Sequence, residues 1–250
     1  MIENKIEDGY QNKKLVVAVS TDLSAAYDTV NHKILLKKLQ YYGVSGTELK
    51  LFKSYLSNRK QYADINTKKS EMIDCLDCGV IQGSKSSGLL YTIYTNKVPI
   101  LHEILENEEV CNTIGAKHYN KLPVNHDVVN FVDDSNSVIT ADPGVDIEDY
   151  TRNYFKLLEI YYNSQKLKLN TDKTQLMVCT MPRFANQIEN MEIETPEGTE
   201  NVKPQEQIKI LGYLFNTRGN IDNQVNKLKS SCHAIMHIAL KHRKIMPQAA

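Results

Sequence analysis

Apolar residues in this chain fall into short runs bounded by polar, turn-forming residues. Leu15-Val-Val-Ala-Val19 is continuous and rich in β-branched residues, which predicts a buried strand ending at Ser20-Thr-Asp22. Leu35, Leu39 and Tyr42 recur at helical spacing and Gly43 supplies a stop, so a helix is expected over about 31–42. Ser45-Gly-Thr-Glu48 has the form of a capping box that opens a second helix with Leu49, Phe52 and Leu56 inward. Residues 62–80 suit short strands. Gly79–Gly88 is a polar, glycine-punctuated loop, followed by a helical run from Leu89 to Asn96. Residues 97–127 are acidic and weakly patterned, as in a peripheral insertion. Ile147, Tyr150, Tyr154, Leu158 and Tyr161 mark a long amphipathic helix. Strands are expected at Thr174–Thr180 and Ile208–Phe215, with a turn at Pro196-Glu-Gly198 between them. Val225, Leu228, Cys232, Ile235 and Leu240 outline a basic C-terminal helix. No internal repeat is present. The order of elements is that of an α+β chain with a mostly antiparallel sheet.

With 250 residues, 41% hydrophobic and 24% charged, the composition is globular and excludes a disordered chain. No apolar run reaches 18 residues and the N-terminus lacks an apolar leader, so neither a membrane span nor a signal peptide is expected. The cysteines number 5 and are scattered, as in a reducing, intracellular setting that leaves nucleus and cytoplasm undistinguished. Cys75-Leu-Asp-Cys78 lacks a partner pair for zinc. Net charge is zero but unevenly spread. Residues 13–69 hold 11 Lys/Arg against 4 Asp/Glu, residues 203–244 hold 8 against 2, and residues 70–202 hold 10 against 21. Basic flanks around an acidic centre suit a protein that grips phosphates at its edges and metals in its middle; an ordinary solvated surface accounts for the same segregation.

Val129-Val-Asn-Phe-Val-Asp-Asp134 places two adjacent carboxylates after an apolar run. Asp-Asp-Ser-Asn is good hairpin chemistry. It also suits Mg²⁺, which takes one or two carboxylates plus water and substrate phosphates. The metal reading needs a third carboxylate at another strand end, and Asp22 after Leu15–Val19 supplies one. Were the two strands neighbours, the three aspartates would converge and could hold two metal ions in the spacing used for in-line attack on phosphate.

Five segments in order, Asp22-Leu-Ser-Ala-Ala-Tyr-Asp-Thr-Val-Asn-His32, Gly79-Val-Ile-Gln-Gly-Ser84, Phe131-Val-Asp-Asp134, Leu169-Asn-Thr-Asp-Lys-Thr174 and Ile210-Leu-Gly-Tyr213, resemble the successive motifs of reverse transcriptases. The likeness is to the non-LTR (LINE-like, jockey-type) retrotransposon group, whose linking segment Leu51–Gln61 also resembles, and it runs from Val16 to about Lys244. It implies a right-hand polymerase palm: an antiparallel sheet backed by helices over residues 1–220, with partial fingers at about 43–78. A short helical thumb would begin at 221–250. Asp22 and Asp133 would bind metal, with Asp134 completing the centre, for two Mg²⁺ ions or Mn²⁺ in their place. Tyr27 would wall off the sugar 2′ position, although alone it reads as a core aromatic. Gln82 and Gly83 would position template and incoming nucleotide. Lys173 would serve the triphosphate, its bland alternative being a solvent lysine that ends a helix. Leu211 and Gly212 would lie near the primer end, and Asp28 reads as a structural residue at a helix start. The implied partners are an RNA template, a DNA primer and deoxynucleoside triphosphates, with no membrane.

Two departures stand out. Ile81 occupies the place where the family has proline, and Lys85-Ser-Ser-Gly88 replaces its apolar continuation. Few residues precede Leu15, so fingers and endonuclease are expected from a missing segment or a partner. A catalytically silent nucleic-acid-binding remnant is the second reading, against which the intact aspartates argue. An RNA-directed RNA polymerase is the third, against which the aromatic Tyr27 argues.

Overall fold

A computed structural model describes residues 2–65, 68–74, 77–179, 191–195, 198–210, 213–217, 225–226 and 228–233. Along the chain, α1 (Ile2–Gln11) leads into β1 (Leu15–Leu23), then α2 (His32–Tyr41) and α3 (Gly46–Leu56). Four two-residue strands follow: β2 (Lys60–Gln61), β3 (Asp64–Ile65), β4 (Lys68–Lys69) and β5 (Ile73–Asp74). Then come α4 (Ser87–Thr95), a 3₁₀ helix (Val98–Glu106), α5 (Glu108–Ile114), β6 (Val124–Phe131), β7 (Asp134–Ala141) and α6 (Ile147–Ser164). Last are β8 (Leu169–Cys179), β9 (Met191–Thr195), β10 (Gly198–Val202), β11 (Gln207–Ile210) and β12 (Tyr213–Asn216). Residues 225–226 and 228–233 are helical and exposed; Ile235 and Leu240 of the expected C-terminal helix lie outside the described residues, as does Cys75.

The expected α+β class and helix-backed antiparallel sheet are what forms. Its strand order is β6-β7-β1-β8, so β1 is flanked on both sides. That placement explains its unbroken apolar run, because each face has something to cover it. Val17, Val19 and Leu23 pack into the larger core with Leu35, Tyr154 and Leu158, whereas Val16 and Ala18 face a second cluster with Ile6, Met177 and Phe215. Fully burying each such aliphatic side chain contributes about 1.5–3 kcal/mol. The second face is covered by α1, a helix that the N-terminal sequence did not announce. A Cβ at Gly9 would run into Val16 Cγ2, so only glycine lets α1 lie this close.

β1 ends at Leu23, one residue past the expected close at Ser20-Thr-Asp22. Several other expectations need correction. The run Val129–Val132 is not a buried strand: β6 is a half-exposed edge strand, and Phe131 is 62% exposed. The buried strand is β7, which follows the aspartates. Residues 97–127 are no peripheral insertion, since Val98, Leu101, Leu105 and Cys111 belong to the main core. The predicted strand Ile208–Phe215 is two antiparallel strands with Ile210 opposite Tyr213. Helix α3 begins where expected, but the Ser45 side chain makes no capping bond. Asn31, not Asp28, caps α2, accepting from the Ile34 amide at 3.1 Å.

Helix α6 is joined to the sheet by a column of tyrosines. The Tyr150 hydroxyl lies 3.0 Å from His126 Nδ1, and that of Tyr154 lies 3.1 Å from Ser137 Oγ. Tyr162, buried further along the helix, packs into the same core. It, rather than the half-buried Tyr161, is the inward residue.

His126 on β6 stacks against His102 of the 3₁₀ helix with ring centroids 4.6 Å apart. Burial holds both imidazoles below the ordinary histidine range, and for His126 the neighbouring His102 adds to it. Glu103, Glu106 and Asp127 oppose the shift at His102, while Tyr150 and Tyr154 face His126 from α6. Unfolded, both rings take up protons near about pH 6.5. The unfolded state therefore binds more protons below that pH, and the stability present above it is lost as pH falls. The urea midpoint is expected to drop between pH 7 and pH 5, and His126→Gln should flatten the drop. Parallel pH profiles for the two proteins would remove this pair as its cause.

Candidate active site

β1 and β7 run antiparallel with Leu15 opposite Ala141 and Thr21 opposite Ser135. One step further along this register stand Asp22 and Asp134, on the face that Val16, Ala18 and Val138 occupy by alternation. Asp133 is at the tip between β6 and β7, where Phe131 pairs with Asp134. The hairpin reading of the aspartate pair is thus what forms. A two-residue hairpin turn is what presents the carboxylates. Val132 in that turn has φ +57°, a left-handed conformation uncommon for a β-branched residue. The run Val129–Phe131 is not the neighbour of β1 that the convergence of the aspartates called for; β7, which opens with Asp134, lies between them.

On the other side of β1 the register breaks. Ser20 faces Gln175, but Asp22 faces Asn170, so Thr171–Thr174 bulge out opposite Thr21. Asn170 closes the excursion: its Oδ1 accepts from the Lys173 amide at 3.2 Å, and its carbonyl accepts from Thr174 Oγ1 at 2.8 Å. Bulges of this kind re-aim side chains. Here Lys173 Nζ comes to 3.8 Å from Asp22 Oδ2, with side chains 71% and 35% exposed respectively. Lys173 therefore lies in a strand excursion rather than at the end of a helix.

The site is short of positive charge. Burial pushes the Asp134 carboxyl up, the charges of Asp133 and Asp22 push it further, and Lys209 of β11 pulls it back. Asp22 Oδ2 is buried with no hydrogen-bond partner. A carboxylate oxygen that, among the described residues, has no hydrogen-bond donor and only the Lys173 amine at 3.8 Å, with like charges beside it, suits a hard cation. Among the described residues no three His, Cys, Asp or Glu side chains enclose one point. The aspartates stand near one another without forming a finished cage.

Tyr27 follows β1 and is half-buried; burial and then the Asp133 charge raise its phenol. Its ring stacks on Tyr91 of α4 at 5.2 Å and 24°. The glycine loop is bolted to this segment. The Gly79 and Val80 amides donate to the Val30 and Tyr27 carbonyls, both at 2.9 Å, and His32 Nε2 lies 2.8 Å from the Gly79 carbonyl. Gly79 has φ +90° and a Cβ there would meet the Asp28 carbonyl at 3.2 Å. Asp28 itself is exposed in the preceding turn. Gln82 and Gly83 are exposed, and Gly83 has φ +83° in open space. On the far side of the loop, the Tyr55 hydroxyl donates to Ser84 Oγ at 3.4 Å.

Asp22, Asp133, Asp134, Lys173 and Tyr27 are thus brought together, with the Gln82–Gly83 loop anchored beside them. Leu211 and Gly212 lie outside the described residues. Sequence reading missed Lys209, Asn170 and Tyr91. Only Lys209 left a signal, as the polar residue of Ile208-Lys-Ile210.

Residues 3–215 match the family model described as reverse transcriptase (RNA-dependent DNA polymerase). The chain belongs to that family. No curated protein matches the sequence. Among solved structures, telomerase from Candida albicans, in complex with the TWJ fragment of telomeric RNA, is similar at 16% identity and a TM-score of 0.48. That match covers 88% of this chain and 34% of the other. Apo telomerase from Candida tropicalis, truncated from its C-terminal domain, is similar at 12% identity and a TM-score of 0.44, covering 88% and 39%. The chain spans about a third of the length of these telomerase chains. Among the described residues no helix is long and apolar enough to cross a membrane.

Proposed function

We propose that this chain is the polymerising domain of an RNA-directed DNA polymerase of the non-LTR retrotransposon group. The observation that carries the reading is the grouping of Asp22, Asp134 and Asp133 at one end of the sheet, with Lys173 at 3.8 Å from Asp22. Asp22 and Asp133, with Asp134 beside them, would hold two Mg²⁺ ions, or Mn²⁺, whose chemistry is to acidify the primer 3′-hydroxyl and steady the triphosphate and departing pyrophosphate.

The chain's own groups do the rest. Lys173, exposed and next to Asp22, offsets charge on the leaving group or donates a proton to it. Tyr27 closes the sugar side and excludes a 2′-hydroxyl. Gln82 offers an uncharged amide to template or base, and Gly83 keeps the loop in a conformation that a side chain would strain. Leu211 and Gly212 sit near the primer end in this reading. The exposed arm of β2–β5, with Lys60, Lys68 and Lys69, belongs to the fingers-like segment, and the helical residues from 225 begin the thumb and contact duplex phosphates. RNA template, DNA primer and deoxynucleoside triphosphates are the substrates.

The test is primer extension on an RNA template with Mg²⁺ and deoxynucleotides. Template-dependent extension supports the reading. Binding of primer–template without extension, in Mg²⁺ and in Mn²⁺, would favour the silent remnant, and preference for ribonucleotides would favour an RNA polymerase.

A further inference from the structure

The proposed sugar wall is backed by a second tyrosine. Tyr91 lies one turn into α4, immediately after the glycine loop, and is 1% exposed. Its ring lies nearly parallel to that of Tyr27, with planes 24° apart and centroids separated by 5.2 Å. Its neighbours Leu90 and Tyr94 are buried in the main core. Tyr94 is held from three directions: its hydroxyl accepts from the Asn31 amide at 3.2 Å and donates to the Gln165 carbonyl, and its own carbonyl accepts from Lys38 Nζ. The helix face bearing Tyr91 is therefore fixed to α2 and to the end of α6. Tyr27, by contrast, lies in a turn segment between β1 and α2, with Ala25 at φ +48°. The Val80 amide holds the Tyr27 backbone by its carbonyl at 2.9 Å, so the direction of the ring is left to its side-chain neighbours.

A wall rejects a hydroxyl only if it cannot step back. We infer that Tyr91 is the positioning residue that holds the Tyr27 ring in place and thereby sets the discrimination between deoxyribose and ribose; this rests on the polymerase reading above. Tyr91 touches Tyr27 rather than the nucleotide. Its hydroxyl is buried and has no hydrogen-bond partner, so it contributes nothing to the fold that a phenylalanine would lose. The ring is the working part. Both phenols are raised first by burial and also by the charge of Asp133, which places the pair beside the carboxylate turn.

The experiment compares wild type, Tyr91→Phe and Tyr91→Met in primer extension. It measures kcat and KM for a deoxynucleotide and its ribonucleotide counterpart. Methionine fills much of the ring's space but is flexible. Tyr91→Met is expected to lower the ratio of deoxy- to ribonucleotide kcat/KM by about tenfold, through a lower ribonucleotide KM, with deoxynucleotide kcat much less affected. Tyr91→Phe should keep the wild-type ratio. Equal ratios in all three, or a loss in Tyr91→Phe as large as in Tyr91→Met, would overturn the inference. On the wild-type chain alone, 2′-fluoro and 2′-methoxy nucleotides give a second reading that does not depend on a variant folding. A fixed wall cuts off sharply between them, and a gradual fall would also overturn it. Wild type that extends with no deoxynucleotide sinks the polymerase reading and this inference together; wild type that discriminates alongside a Tyr91→Met that discriminates equally sinks the inference alone.

Discussion

Asp22→Ala is expected to lower primer extension by about a thousandfold or more while leaving thermal unfolding unchanged or slightly raised. The activity estimate is the loss of several kcal/mol of charge stabilisation, at about 1.4 kcal/mol for each factor of ten. The stability side follows from the geometry. Asp22 Oδ2 is buried without a donor, and Asp134 is already destabilised by the charges around it. Removing one carboxylate from that crowd relieves repulsion. Among the described residues the ion pair given up is the one with Lys173 at 3.8 Å, whose amine is largely in solvent and holds little energy. Extension rate and melting temperature measured on the same preparation decide the matter. A variant that loses both in proportion would show Asp22 to be structural, and the site assignment would fall.

The second large effect is on the fold. Tyr154 is fully buried on α6, and its hydroxyl is bonded to Ser137 of β7 at 3.1 Å. Tyr154→Ala empties a ring-sized space and leaves the Ser137 hydroxyl without its partner. By analogy with other large-to-small aromatic changes, the cost is about 3–5 kcal/mol, or roughly 10 °C in melting temperature for a chain of this size. Tyr154→Phe keeps the ring and loses only the bond, for about 1 kcal/mol. The gap between the two variants separates packing from hydrogen bonding. Equal losses would mean that the hydroxyl, not the ring, anchors α6.

How far the sequence reveals this arrangement depends on whether a residue's neighbours are local. Leu15–Val19 announces β1 because an apolar β-branched run has few alternatives. What the run does not reveal is what holds its polar end, because the partners of Ser20, Thr21 and Asp22 are on β7 and β8, more than a hundred residues away. The same blindness exchanged β6 for β7. Val129–Val132 looks buried but lies on an edge, while Ser135, Asn136 and Ser137 look like a loop but are buried. Ser137 pairs with the Tyr154 hydroxyl and Ser135 with Asn130, and no pattern along β7 foretells a partner from α6. In residues 98–111 the apolar spacing was present, but the intervening acids obscured it. The aspartates themselves were legible, because ordered motifs carry more information than any single spacing. Tyr91 was not, since a buried aromatic in a helix looks the same whatever it supports.

The two-sided burial of β1 has a consequence for what sets its alignment. An ordinary half-buried strand states its own alignment, because a slip by one residue turns its apolar side to water. Leu15–Val19 has no such preference, and either phase would be equally dry. What fixes the alignment must lie at the polar end, where Ser20 meets Asn136 and Gln175, and Asp22 meets Asn170. The short polar end acts as the strand's address. Loss of that address would carry Asp22 to the wrong face while the apolar stretch still stayed out of water, at the cost of repacking contacts such as that of Val16 with Gly9.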